Sequence, residues 1–247
     1  TWDFICFSET RATTADLDLD GNHKFISHRG KEYGGVAILM NATCVQNFIA
    51  KKNFGDIVLA VRLIANGVKL TIISCYFPHA GYAADALEDT YKCLSEAVRW
   101  ASSFSSCFVV GGDFNTQLNT GARSEKLWHF IGHFNLQVAN ECENSPTDES
   151  YTFESSLSVK RQIDFILTGP GFNILQASAT DCLDLQSDHR EVKAAMIQKS
   201  SCGRHQEDDP RGKQPRQSKW KEPVGFPSKV AAALSEMRPE TLTQIEN

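Results

Sequence analysis

Nine short apolar or alternating runs recur through the first 199 residues, at 3–7, 35–40, 57–64, 68–77, 107–111, 151–153, 161–167, 172–177 and 191–197. Runs of this length and pattern read as strands. Only two stretches carry a helical period: Ala84, Leu87, Tyr91, Leu94, Val98 and Ala101 repeat at three- and four-residue steps, and an amphipathic helix fits 123–134. Nine strands are too many for a doubly wound sheet alone. Many strands with few helices predict an α+β sandwich, two packed sheets with helices outside.

Composition changes near Ser200. Five of the eight prolines follow it, and Arg211, Lys213, Arg216, Lys219 and Lys221 span a stretch without an acid. The expected division is a folded domain over 1–199 and a Pro-rich, basic, largely disordered linker or tail over 200–247, with a short helix over 230–237. The net charge of the whole chain is -5, and no window approaches the ~18 consecutive apolar residues of a membrane helix. The N-terminus has no basic stretch followed by an apolar run, so neither secretion nor membrane insertion is expected. None of the eight cysteines forms a CxxC pair, and several sit inside apolar runs such as FICF, IISCY and CFVV. There a thiol packs as a small hydrophobe, which favours a reducing, intracellular compartment.

The informative residues are acids where a strand expects Thr, Val or Ser. Asp113 and Asn115 follow the run CFVVGG, with Gly111 and Gly112 permitting close backbone approach. Glu9 ends FICFS, Asp164 lies within QIDFIL, and Asp188 and His189 stand before the last strand. A carboxylate at the mouth of a core is costly unless something pairs with it. These residue types suit hydrolysis of a phosphate ester. Glu9 and Asp188 are hard oxygen ligands for Mg²⁺, which neutralises phosphoryl charge. Asp113 could orient or deprotonate an attacking water, and Asn115 offers both a donor and an acceptor to water and phosphate. His189, held in one tautomer by Asp164, could donate to a phosphoryl oxygen or act as acid and base. Singly, each has an ordinary explanation: a turn former for Asp113, core for Tyr76, a loop residue for His79. His129 and His133 are spaced i, i+4, but no acid follows His129, so a zinc-protease pattern fails and helix packing is the expectation.

Taken in order, SETR with Glu9, YFPH with Tyr76, GGDFN with Asp113 and Asn115, RQIDFIL with Asp164, and SDH with Asp188 and His189 resemble the endonuclease/exonuclease/phosphatase superfamily. The GGVAIL run and compact size are most similar to the apurinic-type endonuclease domain of non-LTR, LINE-type retrotransposons. The resemblance implies a DNase I-like fold, a four-layered α/β sandwich of two packed sheets flanked by helices. It implies a Mg-dependent phosphodiester hydrolase, with Mg²⁺ or Mn²⁺ held by Glu9, Asp188 and Asp113. Asp113 with Asn115 would position the water, and Tyr76, His79 and Asn115 would meet the scissile phosphate. His189 with Asp164 would form the pair that stabilises the transition state. DNA is the implied substrate, which suggests a nuclear location, and the chain is expected to be a monomer once fused to a reverse transcriptase.

Two departures accompany the resemblance. Relatives carry a first strand with an Asn upstream of the metal-binding Glu, and here Thr1 stands only eight residues before Glu9. His79 occupies a position where relatives commonly have Asn. Three readings follow: an endonuclease that nicks DNA, a phosphatase or phosphodiesterase acting on a small or lipid phosphate, and an inactive remnant that at most binds nucleic acid. Basic residues that could cluster on one face to meet DNA include Arg11, Lys24, Arg29, Lys31, Lys51 and Lys52, because neutralising phosphates takes Lys and Arg.

Overall fold

In chain order the elements are β1 (Phe4–Ser8), β2 (Ala15–Asp18), β3 (Lys24–His28), β4 (Val36–Met40), α1 (Ala42–Val45), β5 (Phe48–Asn53), β6 (Val58–Ala65), β7 (Val68–Tyr76), α2 (Ala84–Ser102), β8 (Phe108–Asp113), α3 (Ala122–His133), β9 (Gln137–Val138), β10 (Phe153–Glu154), β11 (Lys160–Arg161), β12 (Asp164–Thr168), β13 (Phe172–Thr180) and β14 (Glu191–Gln198). This computed structural model describes residues 2–29, 34–65, 67–119, 121–141, 150–181 and 187–199. All but Lys199 belong to the unit Trp2–Gln198. The expected linker over 200–247 and its helix over 230–237 lie outside the described residues, as does Lys31.

A six-stranded sheet in the order β5-β6-β7-β8-β12-β9 forms the centre. Its middle strands are rich in β-branched and apolar residues and are buried along most of their length, as VLAVRLIA in β6 and VKLTIISCY in β7 show. β7 and β8 run parallel, which requires a crossover, and the nineteen-residue α2 supplies it. The stripe predicted for α2 faces the sheet: Tyr91, Leu94, Val98 and Ala101 are buried against Val58, Ile73 and Val110, and Leu87 packs at the margin. Each fully buried Leu or Val of that stripe contributes ~1.5–3 kcal/mol. α3 adds Leu127, Phe130 and Ile131 to the same core.

The other face packs on a second sheet, ordered β1-β4-β3-β2, through Ile26, Val36, Ile38 and Met40 against Leu59, Val61, Ile72 and Val109. β10–β11 and β13–β14 are separate antiparallel ribbons, and β14 lies against β12. The expected DNase I-like α/β sandwich of two packed sheets is the architecture found, with the long helices covering the six-stranded sheet. The close approach expected at the glycine pair is also present. A Cβ on Gly112 would stand 1.9 Å from the Cys75 carbonyl of β7, and one on Gly111 would stand 3.2 Å from Cys6 Cβ of β1.

Sequence periodicity missed β2, β3, β5 and the two-residue β9. β5 (FIAKKN) and β2 (ADLD) are outer strands of their sheets and carry charge where a buried strand would carry Val or Ile. Charged side chains there discourage further pairing, which hides the strand from a hydrophobic pattern. His129 and His133 also differ from expectation. Both are exposed, with their rings nearly parallel at 6.4 Å, so they do not pack α3 onto the core. Among the described cysteines Cys6, Cys44, Cys75, Cys93 and Cys107 are free, and Cys44, Cys75 and Cys107 are buried. Burial raises the Cys6 and Cys44 thiols to about 12. Among the described residues no helix is long and apolar enough to cross a membrane.

Candidate active site

Because β7 and β8 are parallel, their C-terminal ends emerge at one edge of the sheet, the position where α/β sheets bind ligands. The register makes this specific. Tyr76 ends β7 beside Asp113, which ends β8, and Asp113 lies opposite Asp164, the first residue of antiparallel β12. Three polar side chains that are far apart in sequence therefore form one row across three adjacent strands.

Asp113 is 4% exposed. Burial and the charge of Asp164 push its carboxyl up to about 7, with Glu9 adding to the effect. Its Oδ1 accepts from the Asn115 backbone N–H at 2.7 Å and its Oδ2 from the Asn115 amide at 2.9 Å. The Asn115 amide also donates to the Phe77 carbonyl at 2.8 Å, tying the loop after β8 to the loop after β7. The second sheet reaches the same point through Ser8. Its hydroxyl donates to the Cys75 carbonyl at 3.0 Å and accepts from the Asp113 N–H at 3.1 Å. Glu9 follows directly, exposed and paired with Arg11 at 3.3 Å. Glu9 (φ 53°) and Asn115 (φ 45°) both adopt left-handed backbone. That conformation costs a non-glycine residue ~1–2 kcal/mol and is concentrated at functional sites.

His189 completes the row. Its Nδ1 donates to Asp164 Oδ2 at 2.9 Å, which leaves Nε2 as the nitrogen available to a ligand. Burial works to lower the imidazole pKa, but the hydrogen bond and charge of Asp164, with Asp113 and Asp188 behind it, override burial and raise it to about 9. Local hydrogen bonds hold the ring in place. The Ser187 hydroxyl accepts from the His189 N–H at 3.0 Å, and His189 bridges Phe153. The buried Thr152 hydroxyl accepts from the N–H groups of Ile163 and Asp164, both at 3.0 Å. The Thr152 carbonyl accepts from the Arg190 N–H at 2.7 Å. One threonine thus fixes the segments on either side of the pair.

Of the residues singled out in the sequence, Asp113, Asn115, Asp164 and His189 meet directly. Tyr76 and Glu9 border them: burial raises the Tyr76 phenol well above its usual value, and the charges of Glu9 and Asp113 add to this. Asp188 is exposed, its carbonyl accepts from the Glu154 N–H, and its charge acts on His189. His79 turns to its own loop, its ring tilted against Tyr82 at 4.4 Å and accepting from the Gly81 N–H at 3.0 Å. Sequence reasoning missed Ser8 and Thr152, since a lone hydroxyl beside a strand gives no pattern. Of the basic residues that could face DNA, three are engaged with acids. Lys24 and Lys51 both pair with Asp16, and Arg11 pairs with Glu9. Arg190, next to His189 in the chain, pairs with Asp181 at 2.8 Å and lies 4.3 Å from the centre of the Tyr151 ring, with Lys160 4.5 Å from the same centre.

The donor set fits a divalent cation. One ligand atom from each of Asp113, Asp164 and His189 lies within 4.8 Å of the others. Asp113 is a buried carboxyl whose charged form is disfavoured until a cation arrives. The Asp113 and Asp164 carboxylates, bordered by Glu9, supply hard oxygen donors, which suit ions that bind oxygen, while the cationic His189 ring beside them has no lone pair for a metal.

A sandwich of two sheets with acids and a histidine at its strand ends defines a class before it defines a protein. Residues 2–189 match the Endonuclease/Exonuclease/phosphatase family, and the chain belongs to that family, whose members are hydrolytic nucleases or phosphatases. Among curated proteins none matches the chain. Solved structures share the fold. The 3′ phosphatase NExo from Neisseria, bound to a product DNA hairpin, superposes with TM-score 0.64 at 16% identity over 79% of this chain and 89% of that one. A family protein from Leptotrichia buccalis gives TM-score 0.58 at 14% identity over 79% and 87%. The endonuclease domain of TRAS1, a telomere-specific non-LTR retrotransposon, gives 0.52 at 15% identity over 69% and 78%.

Proposed function

We propose that this chain is a Mg²⁺-dependent endonuclease that nicks DNA, of the kind carried by non-LTR retrotransposons. The observation that carries this reading is the convergence of Asp113, Asp164 and His189 at one strand-end cluster, with Asn115 bonded to Asp113. DNA as substrate is supported by the activities named for the Neisseria and TRAS1 relatives.

The environments divide the roles. Asp113 orients the attacking water, and Asn115, bonded to both Asp113 oxygens, holds that carboxylate in place. His189, poised at about 9, is cationic at neutral pH and places positive charge where the phosphoryl oxygens gain negative charge. Asp164 fixes its tautomer. The Tyr76 phenol keeps its proton and donates to the phosphate. Glu9 and Asp113, joined by Asp188, would hold the metal, and bound Mg²⁺ or Mn²⁺ would supply charge neutralisation at the phosphate.

Plasmid nicking in Mg²⁺ tests this, comparing wild type with Asp113→Ala and His189→Ala. Wild type should convert supercoiled to open-circular DNA, and each variant should be slower by ~100-fold or more. Equal conversion by all three would refute the assignment. A 3′-phosphorylated DNA end and a small phosphate ester in the same panel separate an endonuclease from a phosphatase.

A further inference from the structure

The first turn of α3 places an arginine where a cation is disfavoured. Arg123 lies at the positive end of the helix dipole, and burial lowers its pKa below the usual guanidinium value. Two unfavourable placements require specific partners, and the structure provides them at two separate loops. One guanidinium nitrogen donates to the Pro78 carbonyl, within the Tyr76–His79 segment that leaves β7. Nε donates to the Thr116 hydroxyl at 3.3 Å, within the segment from Asp113 that leaves β8. The charge of Asp113 acts on the same guanidinium.

These two loops are already linked near the sheet. The Phe77 N–H donates to the Asp113 carbonyl at 2.8 Å, and the Asn115 amide donates to the Phe77 carbonyl at 2.8 Å. Arg123 adds a link from a separate element, reaching one residue beyond each of the others along both loops. A planar fork that grips two acceptors fixes a distance in a way that a single ammonium does not.

We propose that Arg123 is a positioning residue: it clasps the loop after β7 to the loop after β8, so that Tyr76 and the Asp113–Asn115 pair keep one separation. The catalytic half of this inference rests on the hydrolytic reading above, and the structural half stands without it. Hydrogen exchange of the Phe77 and Asn115 amides, read by NMR in wild type, Arg123→Ala and Arg123→Lys, tests the clasp. Nicking kinetics on the same three proteins test its consequence.

In Arg123→Ala the two amides should exchange about tenfold faster or more, while Ile73 and Val110 inside the strands stay as in wild type. Turnover should fall by about 10- to 100-fold with KM within about threefold, the signature of misplaced groups rather than lost substrate binding. Arg123→Lys keeps the charge without the fork, so exchange at Phe77 and Asn115 stays fast and turnover recovers only in part. Wild-type exchange rates in Arg123→Ala overturn the clasp, as does a raised KM with unchanged turnover, which marks a phosphate contact instead. If Arg123→Ala does not fold, Arg123→Lys gives the same exchange readout. Should the wild-type protein fail to nick, the hydrolytic reading falls and the exchange data still decide the clasp.

Discussion

Replacing Asp164 with Asn isolates the charge that keeps His189 protonated. In the folded protein His189 is raised from 6.5 to about 9. Each tenfold change in an equilibrium corresponds to about 1.4 kcal/mol, so the interval amounts to ~3 kcal/mol of preference for the cationic ring. About a quarter of the side chain faces solvent, at 27%, and screening reduces this to ~2 kcal/mol. NMR titration of the His189 ring protons in the presence of a chelator should give a midpoint near 9 in wild type. In Asp164→Asn burial opposes the charged form with less to resist it, so the midpoint should drop to ~7 or below. Stability follows the same proton. Wild-type folded protein holds it more tightly than the unfolded chain, so the stabilisation is complete below pH ~6.5 and is lost as pH rises through about 9. Urea denaturation should therefore show wild type ahead of Asp164→Asn by ~2 kcal/mol at pH 6, the gap closing by pH 10. Asp113 acts in the same direction, because removing Asp164 eases burial of its charge above pH 7. A wild-type midpoint at or below 7, or a midpoint that Asp164→Asn leaves in place, refutes the reasoning.

Metal and proton compete at Asp113, whose carboxyl stands at about 7. Calorimetric titration of Mg²⁺ in buffers of different ionisation enthalpy should show release of about half a proton per ion at pH 7 and affinity rising from pH 6 to 8; an affinity independent of pH contradicts this. Thr152→Val removes the acceptor used by the Ile163 and Asp164 N–H groups. It should cost ~1–3 kcal/mol in urea denaturation, the penalty for leaving buried donors unpaired, and a neutral result means water takes the hydroxyl's place. Gly112→Ala places a Cβ 1.9 Å from the Cys75 carbonyl. It should destabilise the fold by ~3 kcal/mol or more, or prevent folding, as measured by denaturation and soluble yield.

The parts of the site that were legible in the sequence share one property: polarity in the wrong place. Asp113 after CFVVGG and Asp164 within QIDFIL stand out because a strand end that is otherwise apolar does not carry a carboxylate without a use for it. Ser8 and Thr152 do the positioning, yet a hydroxyl beside a strand is ordinary, so nothing marks them until their partners 105 and 12 positions away are in place. Outer strands were missed for the opposite reason. β5 and β2 are charged because their sheets end there, and hydrophobic periodicity reports burial rather than pairing.

By itself the sequence determined the class of fold and singled out most of the residues that gather at the strand ends, since alternation, helical stripes and misplaced acids are local signals carried by a few neighbouring residues. Tertiary structure alone decided which of those acids share a space. Strand register sets Tyr76 beside Asp113 and Asp113 opposite Asp164, and a shift of one residue would turn each side chain to the other face. It also decided the charge states. Burial and the charge of Asp164 push Asp113 towards neutrality, while Asp164 holds His189 as its cation against burial, and burial and distance belong to the folded chain alone.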